Sequence, residues 1–403
     1  MAHQDASSNS IQTQDAGFPD PAEYINDPRF HQTFTLPTSP SRSQEFKVTY
    51  SDYGYRNPDH PERERVLLLC GPLLGSRYLH IAKDTLAKKY CVRIVDVDRP
   101  GFGGTTAVPS PGDRVQAWLE LVPALLSHLG IRHGVSLAAH SGGAVYALNF
   151  LLYLGHLLSP ARPYVALCAP WIHPSHSGAS LMTLASGLPE GMVGAFDKVA
   201  GFFNRNLAPV TGFSGAASDA ISGLIPSLQG KSLYIAPGVD AKLAEFEEKL
   251  WGPLIAKVYS ENTQGLGQDA VLLLKRQGHD DFWGEWRDYD KYVPLLAEKE
   301  RSLRSGGVKL RVDVFFSESD SMIGTGNGPK WFDHCWREEQ RGGGIDYTSC
   351  VIPKAEHDTI VSLRFGILER IFREIAGENE VGSEAATPSV SAEQPTHLRG
   401  VVA

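Results

Sequence analysis

The chain has 403 residues, 21% charged and 42% hydrophobic, with a formal net charge of −8. This is ordinary globular composition, enough for one large domain or two smaller ones around a buried core. The negative balance and the lack of any lysine- or arginine-rich block speak against nucleic-acid binding, and no run of about 18 apolar residues is present to span a membrane.

In chain order, residues 1–28 are rich in Ser, Gln, Asp and Pro and are expected to lack fixed structure. Residues 1–16 hold no apolar core of the signal-peptide kind, so a cytoplasmic location is the default expectation. Residues 30–36 and 46–50 read as strands around the turn-like Pro37-Thr38-Ser39-Pro40, and Ser51-Asp52-Tyr53-Gly54 reads as the end of the second. Residues 65–71 form a continuous apolar run closed by Gly71-Pro72, which suits a strand buried on both faces of a parallel sheet. A helical stretch over 76–89 precedes a second apolar strand at 90–97 and the loop Asp98-Arg99-Pro100-Gly101-Phe102-Gly103-Gly104.

Residues 113–129 read as a helix capped by Asp113, with Val115, Leu119, Val122, Leu125, Leu126 and Leu129 on one face. A strand at 134–139, a helix at 142–154 and a strand at 164–169 follow. Strands alternating with helices imply a mostly parallel, doubly wound α/β sheet. The pattern breaks over 172–307, where the sequence is helix-like, most clearly at 240–260 and 288–305. Strands resume at 308–316 and 347–352, and an amphipathic helix over 358–376 closes the pattern. The expected organisation is an α/β core at 29–171 and 308–376, a helical cap at 172–307, and a structureless tail at 377–403.

Val135-Ser136-Leu137-Ala138-Ala139-His140-Ser141-Gly142-Gly143 runs an apolar strand into a serine and a small-residue helix out of it. A nucleophile on such a turn needs small residues two before and two after it, here Ala139 and Gly143, so that the strained turn can close. The turn also sets Ser141 at a helix N-terminus, where the Gly142 N–H can hold an oxyanion. A serine hydroxyl needs an imidazole base and an orienting carboxylate. In this architecture they follow in the order Ser, acid, His, each after a strand. Of the 14 histidines, His357 alone lies in a loop after the last strand and before the last helix. Asp320 and Glu318 both follow the strand at 308–316, and Asp320, further into the loop, is preferred; Asp313 lies inside the strand and reads as structural. The second oxyanion donor belongs to the loop after residue 70, where Pro72 has no N–H, leaving Leu73 or Leu74, with Leu73 preferred.

With these residues in place the chain resembles the α/β-hydrolase superfamily over about residues 45–376. It looks most like the lid-bearing esterase, lipase and proline-iminopeptidase-like branch, in a fungal-looking version. The resemblance rests on the 71–78 loop, Asp98 to Gly104, Ala139 to Gly143, Asp320 and His357. It departs at Cys70-Gly71, where the family often has His-Gly, and at Pro72, which crowds the expected donor position. The resemblance implies that the Asp98 to Gly104 loop is a structural turn. It also implies that a serine, where relatives cleaving epoxides or carbon–halogen bonds carry an aspartate, performs acyl chemistry without a cofactor.

Three functions are weighed: hydrolysis of a carboxylic ester, acyl transfer or thioester release in secondary metabolism, and non-catalytic ligand binding. The insertion carries Phe202, Phe203, Phe213, Trp251, Phe282, Trp283, Trp286, Tyr289 and Tyr292. Singly these read as cap packing; together they suggest an apolar chamber over Ser141 and a fairly apolar small-molecule acyl substrate. His173-Pro174-Ser175-His176 reads as a loop, with no metal expected, and Gly265-Leu266-Gly267 is too short to indicate phosphate binding. Cys70, Cys91, Cys168, Cys335 and Cys350 read as free thiols.

Overall fold

A computed structural model describes residues 18–38, 42–188, 190–195, 233–275, 281–304 and 307–378. Its strands are β1 (Gln32–Leu36), β2 (Phe46–Gly54), β3 (Arg65–Cys70), β4 (Val92–Val97), β5 (Val135–His140), β6 (Tyr164–Cys168), β7 (Leu310–Ser319) and β8 (Ile345–Glu356). They form one eight-stranded sheet in the order β1-β2-β4-β3-β5-β6-β7-β8. From β4 to β8 every pairing is parallel; β2 runs antiparallel to both β1 and β4. β3, apolar and buried from Val66 to Cys70, occupies the middle of the sheet. Its successor in the chain, β4, lies on one side and β5 on the other. The strand order therefore reverses at the C-terminal ends of β3 and β5, where open α/β sheets place their ligand crevice.

The flanking helices follow the apolar spacing. Asp113–His128 buries Val115, Trp118, Leu121, Val122, Leu125 and Leu126, with Leu119 and Leu129 half-buried. Asp113 is not its cap: Gly112 holds that position, and the Asp113 carboxylate accepts the Ser110 N–H at 3.2 Å. Gly143–Leu154 is buried almost all round, and Ile367–Ala376 buries Ile367, Leu368, Ile371, Phe372 and Ile375 on one face.

Several expected boundaries move. Residues 21–28, read as structureless, contain the helix Pro21–Ile25 capped by Asp20, and Phe18 stacks on Phe246 at 4.5 Å between ring centroids. Residues 1–17 and the tail from 379 lie outside the described residues. The helix expected over 76–89 forms as a 3₁₀ turn at Ile81–Lys83 and a helix at Asp84–Lys89. The final helix starts only at Ile367, after a 3₁₀ turn at Leu363–Phe365.

Among the described residues between β6 and β7 the helices are Pro174–Ser177, Ser180–Ser186, Glu190–Gly194, Ala241–Ser260, Gly265–Leu274 and Tyr289–Leu303. The last of these packs on the sheet-flanking helix Gly143–Leu154, with the Tyr292 hydroxyl donating to Leu148 O at 2.9 Å. It leads into β7. Charged pairs tie the inserted segment to the strands' loops and flanking helices. Arg77 Nη1 meets Glu261 at 2.9 Å, Lys83 pairs with Glu247, and Asp269 sits between Arg99 and Arg114.

Candidate active site

The elbow begins where β5 ends. Ser141 has φ +51°, the left-handed region that an L-residue occupies at a cost of roughly 1–2 kcal/mol. Its N–H donates to Cys168 O at 3.0 Å and its carbonyl accepts from Trp171 N–H at 3.1 Å, so β6 holds the turn from both sides. Gly143 is required by close approach: a Cβ there would lie 2.0 Å from Cys70 O and 2.4 Å from Gly71 O. The elbow is therefore pressed onto the end of β3. Ala139, which pairs with Cys70 on β3 and Leu167 on β6, is 2% exposed.

His357 immediately follows β8 and Asp320 immediately follows β7, two strands paired side by side. Parallel pairing puts both at the edge that carries Ser141. Ser141 Oγ and His357 Nε2 are 2.7 Å apart, and His357 Nδ1 lies 2.8 Å from Asp320 Oδ2 and 3.0 Å from Oδ1. All three side chains are buried. Asp320 also accepts from Ser317 Oγ at 2.9 Å and from the N–H groups of Met322 and Ile323 at 2.9 and 2.8 Å. Burial alone would raise the Asp320 carboxyl; His357 and these donors outweigh it and hold the carboxyl below its ordinary value. Burial would likewise depress the His357 ring, and Asp320 overcomes it and raises the ring above its ordinary value. Since Nδ1 faces a carboxylate it carries the proton, leaving Nε2 as acceptor toward the serine hydroxyl.

The other acids point elsewhere. Glu318 accepts the Lys354 N–H at 2.8 Å, and Asp313 is bound inside the sheet by Thr348 Oγ1 at 2.7 Å and the Tyr164 hydroxyl at 3.2 Å. His140, which the sequence reading passed over, donates from Nε2 to His357 O at 2.8 Å. Burial, then the neighbouring His357, lowers its pKa to about 3, so it is a neutral prop for the loop that carries His357. Its place next to Ser141 was the only signal of this in the sequence.

The N–H groups of Gly142, Leu73 and Leu74 enter no hydrogen bond among the described residues. Leu273 of the helix Gly265–Leu274 lies over Gly142, its Cδ1 2.7 Å from where a Cβ would be. The last carbonyls of that helix are taken by side chains: Leu272 O by Trp283 Nε1 at 3.0 Å, Leu273 O by Trp171 Nε1 at 3.0 Å, and Leu274 O by His173 Nε2 at 2.9 Å.

Trp283, Trp286, Tyr289 and Tyr292 are packed core residues rather than the walls of a chamber. Each is fully buried, and the Trp286 indole and the Tyr289 hydroxyl are satisfied by Asn149 Oδ1 and Trp171 O. Phe202, Phe203 and Phe213 lie outside the described residues. His176 stacks on Trp331 with ring centroids 3.6 Å apart, and among the described residues no group of three His, Cys, Asp or Glu could hold a metal. Gly265 is small because Phe102 and Pro100 O press on it. All five cysteines are free thiols, and among the described residues no helix is long and apolar enough to cross a membrane.

No family model matches the sequence, and no curated protein matches it. Solved structures do. A mutant of a Vigna radiata epoxide hydrolase superposes with a TM-score of 0.51 at 14% identity, covering 87% of this chain and 99% of that one. The Vigna radiata epoxide hydrolase VrEH1 gives a TM-score of 0.50 at 14% identity, covering 87% and 98%. A thermophilic esterase from Thermogutta terrifontis gives 0.49 at 16% identity over 87% and 98%. The first two, with the sheet order, define the architecture: the chain has the α/β-hydrolase fold, a mostly parallel eight-stranded sheet with inserted helices.

Proposed function

We propose that the chain is a serine hydrolase that cleaves a carboxylic ester, or a related acyl bond, of a fairly apolar small molecule through an acyl-enzyme on Ser141. The observation that carries this reading is the unbroken line Ser141 Oγ to His357 Nε2 to Asp320, at 2.7 and 2.8 Å, on a left-handed serine beside unused N–H donors. Leu273, which lies over Gly142, and Trp171, whose N–H bonds Ser141 O, bring apolar side chains to the elbow and support an apolar acyl group.

In the first half-reaction Ser141 Oγ attacks the carbonyl carbon while His357 Nε2 takes its proton. The imidazolium so formed is stabilised by Asp320, which keeps its charge. The carbonyl oxygen becomes an oxyanion held by the N–H groups of Gly142 and Leu73. Collapse breaks the bond to the leaving oxygen, which receives the proton from His357. Water then attacks the acyl-enzyme, gives its proton to His357, and releases the acid as the proton returns to Ser141. A carboxylate nucleophile, of the kind that opens epoxides, is absent from this position. Ser141 therefore favours acyl chemistry over the activity named for the two Vigna radiata structures.

The test is hydrolysis of p-nitrophenyl esters of graded chain length by wild type and Ser141→Ala. Turnover by wild type, abolished in the mutant, is expected. Equal activity of both, or silence of both with no phosphonate labelling, would overturn the enzyme reading in favour of a binding protein. Adding an alcohol acceptor and measuring product partition separates hydrolysis from acyl transfer.

A further inference from the structure

We infer that Arg99 is a positioning residue for the oxyanion hole, aiming the backbone donors of the loop after β3 under the control of Asp269 in the cap. This rests on the acyl-enzyme reading given above. Arg99 is 2% exposed, and its guanidinium spends its donors on one loop. Nη1 donates to Gly71 O at 2.6 Å, and Nη2 donates to Pro72 O and, at 3.0 Å, to Leu73 O. Nε donates to Asp269 Oδ2 at 2.8 Å, which fixes the plane of the fork.

Peptide planarity turns these carbonyl contacts into donor geometry. In a trans peptide the C=O and the N–H point in opposite directions. Anchoring Pro72 O therefore aims the Leu73 N–H away from the guanidinium, and anchoring Leu73 O does the same for the Leu74 N–H. Gly71 O precedes Pro72, which has no N–H, so that contact fixes the base of the loop alone. The base adjoins the elbow, since Cys70 O and Gly71 O crowd the Cβ position of Gly143. A cation behind the carbonyl ends also polarises these peptide groups and strengthens them as donors.

The charge around Arg99 adds to this. Asp269 is shared by Arg99 and Arg114, and the Tyr146 hydroxyl donates to it. Burial pushes the Tyr146 phenol up, so it stays neutral. Two guanidinium groups and one carboxylate leave one positive charge buried beside the loop, of the sign an oxyanion needs. Lysine could not replace arginine, because a planar fork is required to reach three carbonyls and a carboxylate together. Gly75 completes the seat: a Cβ there would lie 2.5 Å from Arg99 Cζ, and the Arg99 N–H donates to Gly75 O at 3.0 Å.

Two variants test this independently. Arg99→Met removes the donors at similar volume. Gly75→Ala keeps every hydrogen-bonding group in the chain but displaces the guanidinium, and it serves alone should Arg99→Met not fold. Each is assayed for kcat, KM, thermal midpoint and affinity for an aryl trifluoromethyl ketone, whose hemiketal with Ser141 places an anion in the hole. Both are expected to lose about 10- to 100-fold in kcat, part of the roughly 10²–10³ carried by one oxyanion donor, with KM changed less than about twofold. Ketone affinity should fall by the same factor as kcat. In a third variant, Arg99→Ala, millimolar guanidinium ion should restore part of the activity, and in Gly75→Ala none. Folded variants with wild-type kcat and ketone affinity, or with KM alone altered, would overturn the role of Arg99. Should wild type itself neither hydrolyse esters nor bind the ketone better than Ser141→Ala, the acyl-enzyme reading fails instead.

Discussion

Gly143→Ala is a sharp perturbation of the site because the added methyl meets backbone rather than side chain. The new Cβ would stand 2.0 Å from Cys70 O and 2.4 Å from Gly71 O. Non-bonded heavy atoms settle at roughly 3.5 Å, so the elbow must retreat from β3 by on the order of 1 Å. Cys70 O closes a central strand and Gly71 O is held by Arg99 Nη1, so neither turns freely out of the way, which puts the stability loss near the upper end of the overpacking range, about 3 kcal/mol. The same retreat moves Ser141 Oγ relative to the Leu73 and Leu74 donors, and a 1 Å misplacement can cost about 100-fold in rate. Urea unfolding midpoints and kcat on a p-nitrophenyl ester measure the two effects. A Gly143→Ala protein within about 0.5 kcal/mol of wild type and with an unchanged kcat would refute the close approach of the elbow to β3.

Other outcomes follow from the same geometry. His357 must be neutral at Nε2 to accept the serine proton, and Asp320 raises it above its ordinary 6.5 against the effect of burial, so kcat/KM should fall as pH drops through a midpoint above 6.5. In Asp320→Asn burial prevails, so that limb should move below 6.5, with kcat down on the order of 10⁴-fold. A limb that stayed above 6.5 would contradict Asp320 as the group that raises His357. Far from the site, Gly130 ends the helix Asp113–His128 at φ +69°, and Ile131 N–H donates back to Leu126 O at 2.9 Å. Gly130→Ala should cost about 1 kcal/mol for the left-handed conformation and leave kcat untouched, read by thermal melting and the same ester assay.

The parallel core and the elbow were legible in the sequence because both are local patterns: apolar runs such as that of β3, and an apolar strand entering a serine flanked by small residues. Chain order and strand ends sufficed to bring Ser141, Asp320 and His357 to one edge of the sheet. What escaped depends on partners distant in sequence. β2 runs on to Gly54 through a stretch that looks like a turn, because Ser51 is bonded to Arg77 O and Asp52 is paired with Arg93. β7 continues through the polar Ser317-Glu318-Ser319 because β8 lies alongside it. The helices Asn327–Cys335 and Glu338–Arg341, short and rich in polar residues, gave no periodic signal. Tyr289–Leu303 packs on Gly143–Leu154, a contact that no local pattern announces. Its aromatic neighbours looked like chamber walls until their buried partners, Asn149 and Leu148 on the flanking helix, were in view. The loop containing Arg99 read as a structural turn because the carboxylate that orients its guanidinium, Asp269, comes far later in the chain.

The most direct measurement is mass spectrometry of the protein quenched in acid during turnover of p-nitrophenyl butyrate, followed by peptide mapping. The account predicts a butyryl adduct on the peptide bearing Ser141, which disappears in Ser141→Ala together with turnover. Ester turnover with the acyl group on another residue, or undiminished turnover in Ser141→Ala, would contradict it.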